Sequence, residues 1–153
     1  MGQIRGDNLF HSFHDFNVAT GSRVTFTGPN HIDNILSRVT GGRASLINGT
    51  LSSAIDGANL FLLNPSGVLF GPGAALDVSG SFHVSTADQL HFSDGDVLAT
   101  GQPVASGLSV ADPAFGFLGD HPAGIAILGS GLMVEPHEHL SVTGGDLTMA
   151  GGV

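Results

Sequence analysis

The sequence contains no cysteine, no lysine, no tryptophan and no tyrosine. Each absence removes a class of chemistry. Without cysteine there are no disulfides and no thiolate nucleophiles or ligands. The cations are Arg5, Arg23, Arg38 and Arg43, scattered over the first third of the chain and forming no basic run. Nucleic-acid binding and attraction to an anionic membrane surface are therefore not expected, because both need clustered Lys or Arg. Sugar sites usually offer Trp or Tyr as flat platforms with a polar handle, and neither is present. No apolar run approaches the roughly 20 residues of a membrane-spanning helix, so no membrane insertion is expected. The start, Met1-Gly2-Gln3-Ile4-Arg5-Gly6, has no apolar core of a signal peptide, and Gly6 stands where a myristoylation signal needs Ser or Thr. On that reading the chain is a fragment that begins after any leader.

Glycine and aliphatic residues are plentiful. The 153 residues include 24 glycines, hydrophobic residues make up 41 % and charged residues only 11 %. A chain of this length suits one domain with a real core. The formal charge of −9 comes from a shortage of bases rather than from an acidic run. The composition predicts many short strands joined by tight turns. Ala58 to Pro72 shows the pattern most clearly. Leu60–Leu63 is apolar, Asn64-Pro65-Ser66-Gly67 stops it, Val68–Phe70 resumes it, and Gly71-Pro72 stops it again. Asn at i, Pro at i+1 and Gly at i+3 suit a type I turn.

The rhythm extends both ways. Residues 1–33 are expected to form an irregular, strand-rich cap, with a strand at Arg23–Thr27 where Val24 and Phe26 share a face. Residues 34–88 read as three short strands per cycle: Ile35–Val39, Ser45–Ile47 and Thr50–Ser52, then Leu60–Leu63, Val68–Phe70 and Leu76–Val78, with Phe82–Val84 opening a third cycle. Cycles of twenty-odd residues fit the rung of a parallel β-helix, in which each rung buries its apolar side on the next. A β-sandwich is the alternative fold. Aligning Val68–Phe82 on Leu132–Asp146 gives a weak echo at an offset of 64 that places Leu76 on Leu140. Residues 89–123 loosen the rhythm and predict an excursion outside the stack, with a turn at Ser93–Asp96 and a hairpin around Leu108–Val110 and Phe115–Leu118. Residues 124–153 resume rungs at Ile125–Leu128, Leu132–Val134, Leu140–Val142 and Leu147–Met149.

Candidate chemistry is sparse. Glu135-Pro136-His137-Glu138-His139 is the best metal motif, with His137 and His139 on one face if the segment is a strand. Two ligands leave a zinc site incomplete, so a solvated turn is the preferred reading and no metal is expected. His11 and His14 could pair on a helical turn, and Asp94 and Asp96 could form a carboxylate pair of the glycosidase type, but a turn explains them more simply. No nucleophile elbow, P-loop or dinucleotide-binding motif occurs, so neither catalytic residues nor a cofactor are expected.

Several segments in order carry a resemblance. Asn64-Pro65-Ser66-Gly67-Val68 is similar to the Asn-Pro-Asn-Gly motif of the two-partner-secretion (TPS) domain of filamentous-haemagglutinin-type exoproteins, with Ser66 in place of the second Asn. Asn8–Phe13, Phe16–Val18, Asn34–Gly42 and Gly80–Ala87 resemble further landmarks in the family's order. The family's first motif is absent, Gly28-Pro29-Asn30-His31 standing near its place, and Ser37–Gly42 and Gly80–Phe82 resemble the subgroup common in cyanobacteria and some other environmental bacteria. The resemblance implies a right-handed, all-β parallel β-helix with an N-terminal cap and extra-helical strands. It implies secretion through the periplasm to the surface or exterior of a Gram-negative-type bacterium, which a cysteine-free chain suits. It implies a TpsB-type outer-membrane transporter, with its polypeptide-transport-associated (POTRA) domains, as partner, and Asn64, Pro65, Ser66, Gly67 and Val68 as the motif recognised. Any host or surface ligand would belong to the full-length exoprotein. A self-standing adhesin or carbohydrate-binding module is the alternative, and a polysaccharide-degrading β-helix enzyme a more distant one.

Overall fold

The computed structural model describes residues 3–91, 97–99, 114–116 and 121–150. The expected turn at Ser93–Asp96, the pair Asp94 and Asp96, and the strand at Leu108–Val110 lie outside them. Among the described residues every regular element is a strand: β1 (Gln3–Arg5), β2 (Asn8–Phe13), β3 (Arg23–Phe26), β4 (Asn34–Val39), β5 (Ser45–Ile47), β6 (Thr50–Ser53), β7 (Asn59–Leu63), β8 (Val68–Phe70), β9 (Ala75–Asp77), β10 (Phe82–Ser85), β11 (Gln89–His91), β12 (Val97–Ala99), β13 (Ala114–Gly116), β14 (Ile125–Leu128), β15 (Leu140–Thr143) and β16 (Leu147–Ala150).

The strands stack as a parallel β-solenoid with three faces. Sheet A runs β1-β2-β4-β7-β10-β15, sheet B runs β16-β14-β8-β5, and sheet C runs β3-β6-β9. Only β1 is antiparallel, lying on β2 at the N-terminal edge of sheet A. The next five strands of that sheet are parallel and mark about five turns. Register follows the sequence rhythm: Ile35 sits over Leu60 and Leu60 over Phe82. Those are the spacings of 25 and 22 residues read from the chain.

Three sequence expectations fail here. Leu140 stacks on Phe82 in sheet A, whereas Leu76 lies in sheet C, so the 64-residue echo is not a structural repeat. It matched a proline and a glycine that recur at any corner, and two aliphatic positions that any rung offers, and neither carries register. Leu132–Val134 is not a strand; Gly129 at φ 77°, Gly131 and Pro136 bracket it, and it pairs with no strand among the described residues. Asn8–Phe13, expected to be irregular, is a regular six-residue strand in register with β4. After β10 the chain leaves the stack for an antiparallel sheet ordered β12-β11-β13 and returns at β14. Phe115 therefore pairs with Leu90 of β11.

Because side chains alternate along a strand, each rung sends every second residue inward. Leu9, Ile35, Leu60 and Phe82 form one buried row in sheet A, and Ile47 and Phe70 begin one in sheet B. The outward residues Phe10, Leu36, Phe61 and Leu63 are buried as well. Sheet A is thus covered on both faces, which is why Leu60–Leu63 reads as a continuous apolar run rather than an alternating one. At the N-terminal end the rings of His11, Phe13, Phe16 and Phe26 pack on one another and close the core. At the other end the inward residues Leu140, Leu147 and Met149 are 39 %, 49 % and 69 % exposed.

Polar ladders run beside the apolar ones. Asn34 Nδ2 donates to Asn8 Oδ1 at 3.1 Å, and Asn59 Nδ2 donates to Asn34 Oδ1 at 3.0 Å. Asn59 Oδ1 then accepts the Ser81 N–H at 2.9 Å. Ser81 Oγ donates to Glu138 Oε2 at 2.8 Å and accepts the His139 N–H at 2.9 Å. One file of amides and a hydroxyl therefore ties five successive rungs. Ser37 is the opposite case. It faces inward from β4, its hydroxyl is buried without a partner, and it lines a small void with Phe16, Phe26, Leu51, Leu60 and Leu62 that has no room for water.

Replacing Asn34 by Ala removes a donor to Asn8 and an acceptor from Asn59, and should lower the unfolding free energy by about 2 kcal/mol, read from urea denaturation. Ser37→Ala removes a hydroxyl whose desolvation nothing repays, and should raise stability by about 1 kcal/mol with an unchanged urea slope. A loss of stability in the serine variant would show that the hydroxyl is bonded after all.

Candidate functional site

Asn64–Gly67 is the corner at which β7 of sheet A turns into β8 of sheet B. The turn is the one its residues prefer: Gly67 N–H donates to Asn64 C=O at 3.1 Å, with Pro65 and Ser66 at the two central positions. Asn64 Oδ1 accepts the Ser66 N–H at 2.9 Å, an Asx turn within the same corner. Its amide Nδ2 reaches back to the preceding rung, donating to Arg43 C=O and to Ser45 Oγ, both at 2.9 Å. Its backbone N–H donates forward to Ser85 C=O at 3.0 Å. Asn64 is wholly buried, and one side chain satisfies groups on its own rung and the rung before it.

The other motif residues have distinct surroundings. Val68 is buried and stacks between Ser45 and Ile125 in sheet B. Pro65 and Ser66 are half-buried. Gly67 has φ 115°, a region that side chains other than hydrogen rarely occupy, and a Cβ there would come within 3.2 Å of Gly124 C=O. Ser66, Gly67 and Val68 also wall a shallow groove of about 270 Å³ that runs past Gly124 to Asp146 and Thr148. The structure brings the five residues together as a turn and a strand start, with Asn64 facing inward.

A second corner, legible in the sequence only as the turn Asn48-Gly49, also uses an amide to join rungs. Asn48, between β5 and β6, donates Nδ2 to Thr20 Oγ1 at 2.6 Å and accepts the Gly73 N–H at Oδ1 at 2.9 Å. Its side chain lies where a Cβ on Gly71 would go. The Asn8–Asn34–Asn59 file was missed too, although a signal was present. Each Asn directly precedes the first inward apolar residue of its rung, as Asn8-Leu9, Asn34-Ile35 and Asn59-Leu60.

The histidines do not assemble a metal centre, and among the described residues no group of three or more His, Asp or Glu is placed to hold a metal ion. His137 and His139 do not share a strand face: Pro136-His137 is a turn closed by Glu138 N–H to Glu135 C=O, and His137 has φ 71°. His11 and His14 are not on a helix. His11 belongs to β2, and exposed His14 sits 3.2 Å from Asp15. His83 lies on the outer face of sheet A, stacked on Phe61 at 4.6 Å with Nδ1 2.6 Å from Ser141 Oγ. Burial, reinforced by His139 nearby, pushes its imidazole below the ordinary histidine value.

Comparison with known proteins points the same way. A heme/hemopexin-binding protein of Haemophilus influenzae is 31 % identical to this chain over 110 residues, which cover 62 % of this chain and 12 % of that relative. The chain thus corresponds to about one eighth of that protein's length. No solved structure matches. The TPS secretion domain family matches residues 2–153. With a parallel solenoid, an Asn-Pro-Ser-Gly corner locked into its rungs and a family match over nearly its full length, this chain belongs to the TPS secretion domain family.

Proposed function

We propose that this domain directs a longer, non-enzymatic exoprotein to a TpsB-type outer-membrane transporter and then starts the protein's solenoid outside the cell. The observation that carries the reading, beside family membership, is the fate of Asn64. In the folded domain its amide is buried and its donors and acceptor are engaged within the solenoid. A transporter that reads the corner must therefore meet it before the rungs close. An extended chain can be held by main-chain hydrogen bonds at the edge of a POTRA sheet, leaving alternate side chains to be sensed. After passage, Asn64 exchanges those contacts for Arg43, Ser45 and its own turn.

The folded domain suits the second half of the task. Each rung contacts its neighbours alone, so rungs can add as the chain emerges. The core is closed by aromatic rings at the N-terminal end and leaves inward aliphatic residues exposed at the other. Adhesion or ligand capture is assigned to the rest of the exoprotein, in keeping with the absence of Trp and Tyr here and with a relative named for heme and hemopexin binding.

The test is export from the periplasm through the cognate transporter, comparing the wild-type domain with Asn64→Ala and Asn34→Ala. Both variants lose buried amide hydrogen bonds, so they share a folding defect, but only Asn64 lies in the motif. Asn64→Ala should accumulate in the periplasm while Asn34→Ala reaches the medium. Equal export of the two variants would remove the recognition role of Asn64. Failure of the wild-type domain to leave the periplasm would overturn the secretion reading itself.

A further inference from the structure

The aromatic plug at the N-terminal end contains one titratable ring. His11 stacks on Phe13 with centroids 5.8 Å apart and planes 12° apart, and its centroid lies 5.2 Å from that of Phe26. Its Nε2 is buried with no hydrogen-bond partner. Its register partner on the next rung is Ser37, whose hydroxyl is likewise unpartnered. We propose that His11 makes the closed end of the solenoid acid-labile: as a neutral ring it is part of the plug, and as a cation it opens the first rung.

No acceptor waits for the second proton. From β3 the ring meets Phe26, from β4 it faces Ser37, and from its own strand it meets Phe13. β1 lies opposite Asn8–Phe10. The charged groups on these elements turn elsewhere. Arg23 pairs with Asp77 at 2.7 Å. Arg38 is one residue from Ser37, hence on the other face of β4, where its Nε donates to Ser12 Oγ at 2.6 Å. His14 and Arg43 both lie against Asp15, and all three are exposed. Attraction between an imidazolium and the faces of two phenylalanines offsets part of the cost of charging the ring, but Nε2–H would stay buried without an acceptor. Desolvation accordingly holds His11 below the ordinary histidine value.

The sign follows from linkage. The unfolded chain takes up the proton at the ordinary value and the folded chain only below it, so the unfolded state binds more protons in between. Stability is intact above the unfolded value and is lost as pH falls through the folded one. His83 is depressed in the same direction, so the two rings must be separated experimentally.

Urea unfolding of the wild type, His11→Phe and His83→Phe between about pH 7.5 and pH 5 makes the separation. One proton changes the folding constant by up to about tenfold per pH unit. His11→Phe should lose a large part of the wild-type slope and His83→Phe its own share, and the two losses should add in the double variant. Imidazole NMR on the wild-type protein is the second measurement, and it stands even if His11→Phe fails to fold. The His11 ring should titrate below the ordinary value, with resonances of the first rung broadening before those of β10 and β15. A wild-type slope in folded His11→Phe, or a His11 ring that titrates at or above the ordinary value, would overturn the proposal.

Discussion

The structure depends on how a solenoid treats its corners. Within a face, an inner strand such as β4, β7 or β10 has a hydrogen-bonded rung on each side. At a corner the strands stop, and main-chain polar groups are turned toward the interior with no ladder to join. Such groups cannot be buried unpaired without a cost that erodes the small net stability of a domain. This chain answers with side-chain amides. Asn64 and Asn48 each bridge adjacent rungs at a corner, and the Asn8–Asn34–Asn59 file serves the start of sheet A. Apolar stacking supplies the gross driving force, but it would tolerate many registers. The amides fix one.

Much of this was legible in the sequence because a short strand has few inward positions. Leu60 must meet Ile35 below and Phe82 above if its rung is to be buried, and the register shows both. The turn at Asn64 was readable for the same local reason: the backbone preferences of Asn, Pro and Gly agree with one another and with the corner. The failures share a cause. The 64-residue echo rested on a proline, a glycine and two aliphatic positions, which mark corners and inward sites but not which sheet a strand joins. Leu132–Val134 has the composition of a rung strand yet lies between glycines and a proline and does not pair with β9. The amide file escaped notice because its members are 26 and 25 residues apart, and an Asn beside an apolar run reads locally as the end of a turn.

The candidate site was legible as a position and less so as an environment. Sequence placed Asn64–Val68 at a corner, and the fold confirms the corner. It could not show that the first residue of the motif turns inward and uses its whole amide, whereas Ser66 stays at the surface beside a groove. Under the proposed function, in which the chain crosses a membrane before it folds, that difference bears on what a motif means. Side chains that are informative in the extended chain need not be visible in the folded one.

The amide file also has a direction. Asn34 and Asn59 each point Nδ2 toward the preceding rung and offer the carbonyl oxygen to the following one, and beyond Ser81 the file reaches the carboxylate of Glu138. A rung that continues the file past Glu138 must therefore bring a donor, an N–H or O–H, as Ser81 does from the rung before. A rung that presented another carboxylate or carbonyl there would set acceptor against acceptor. The polarity of a few buried amides thus decides which side chains can stand over sheet A in a following turn of the solenoid.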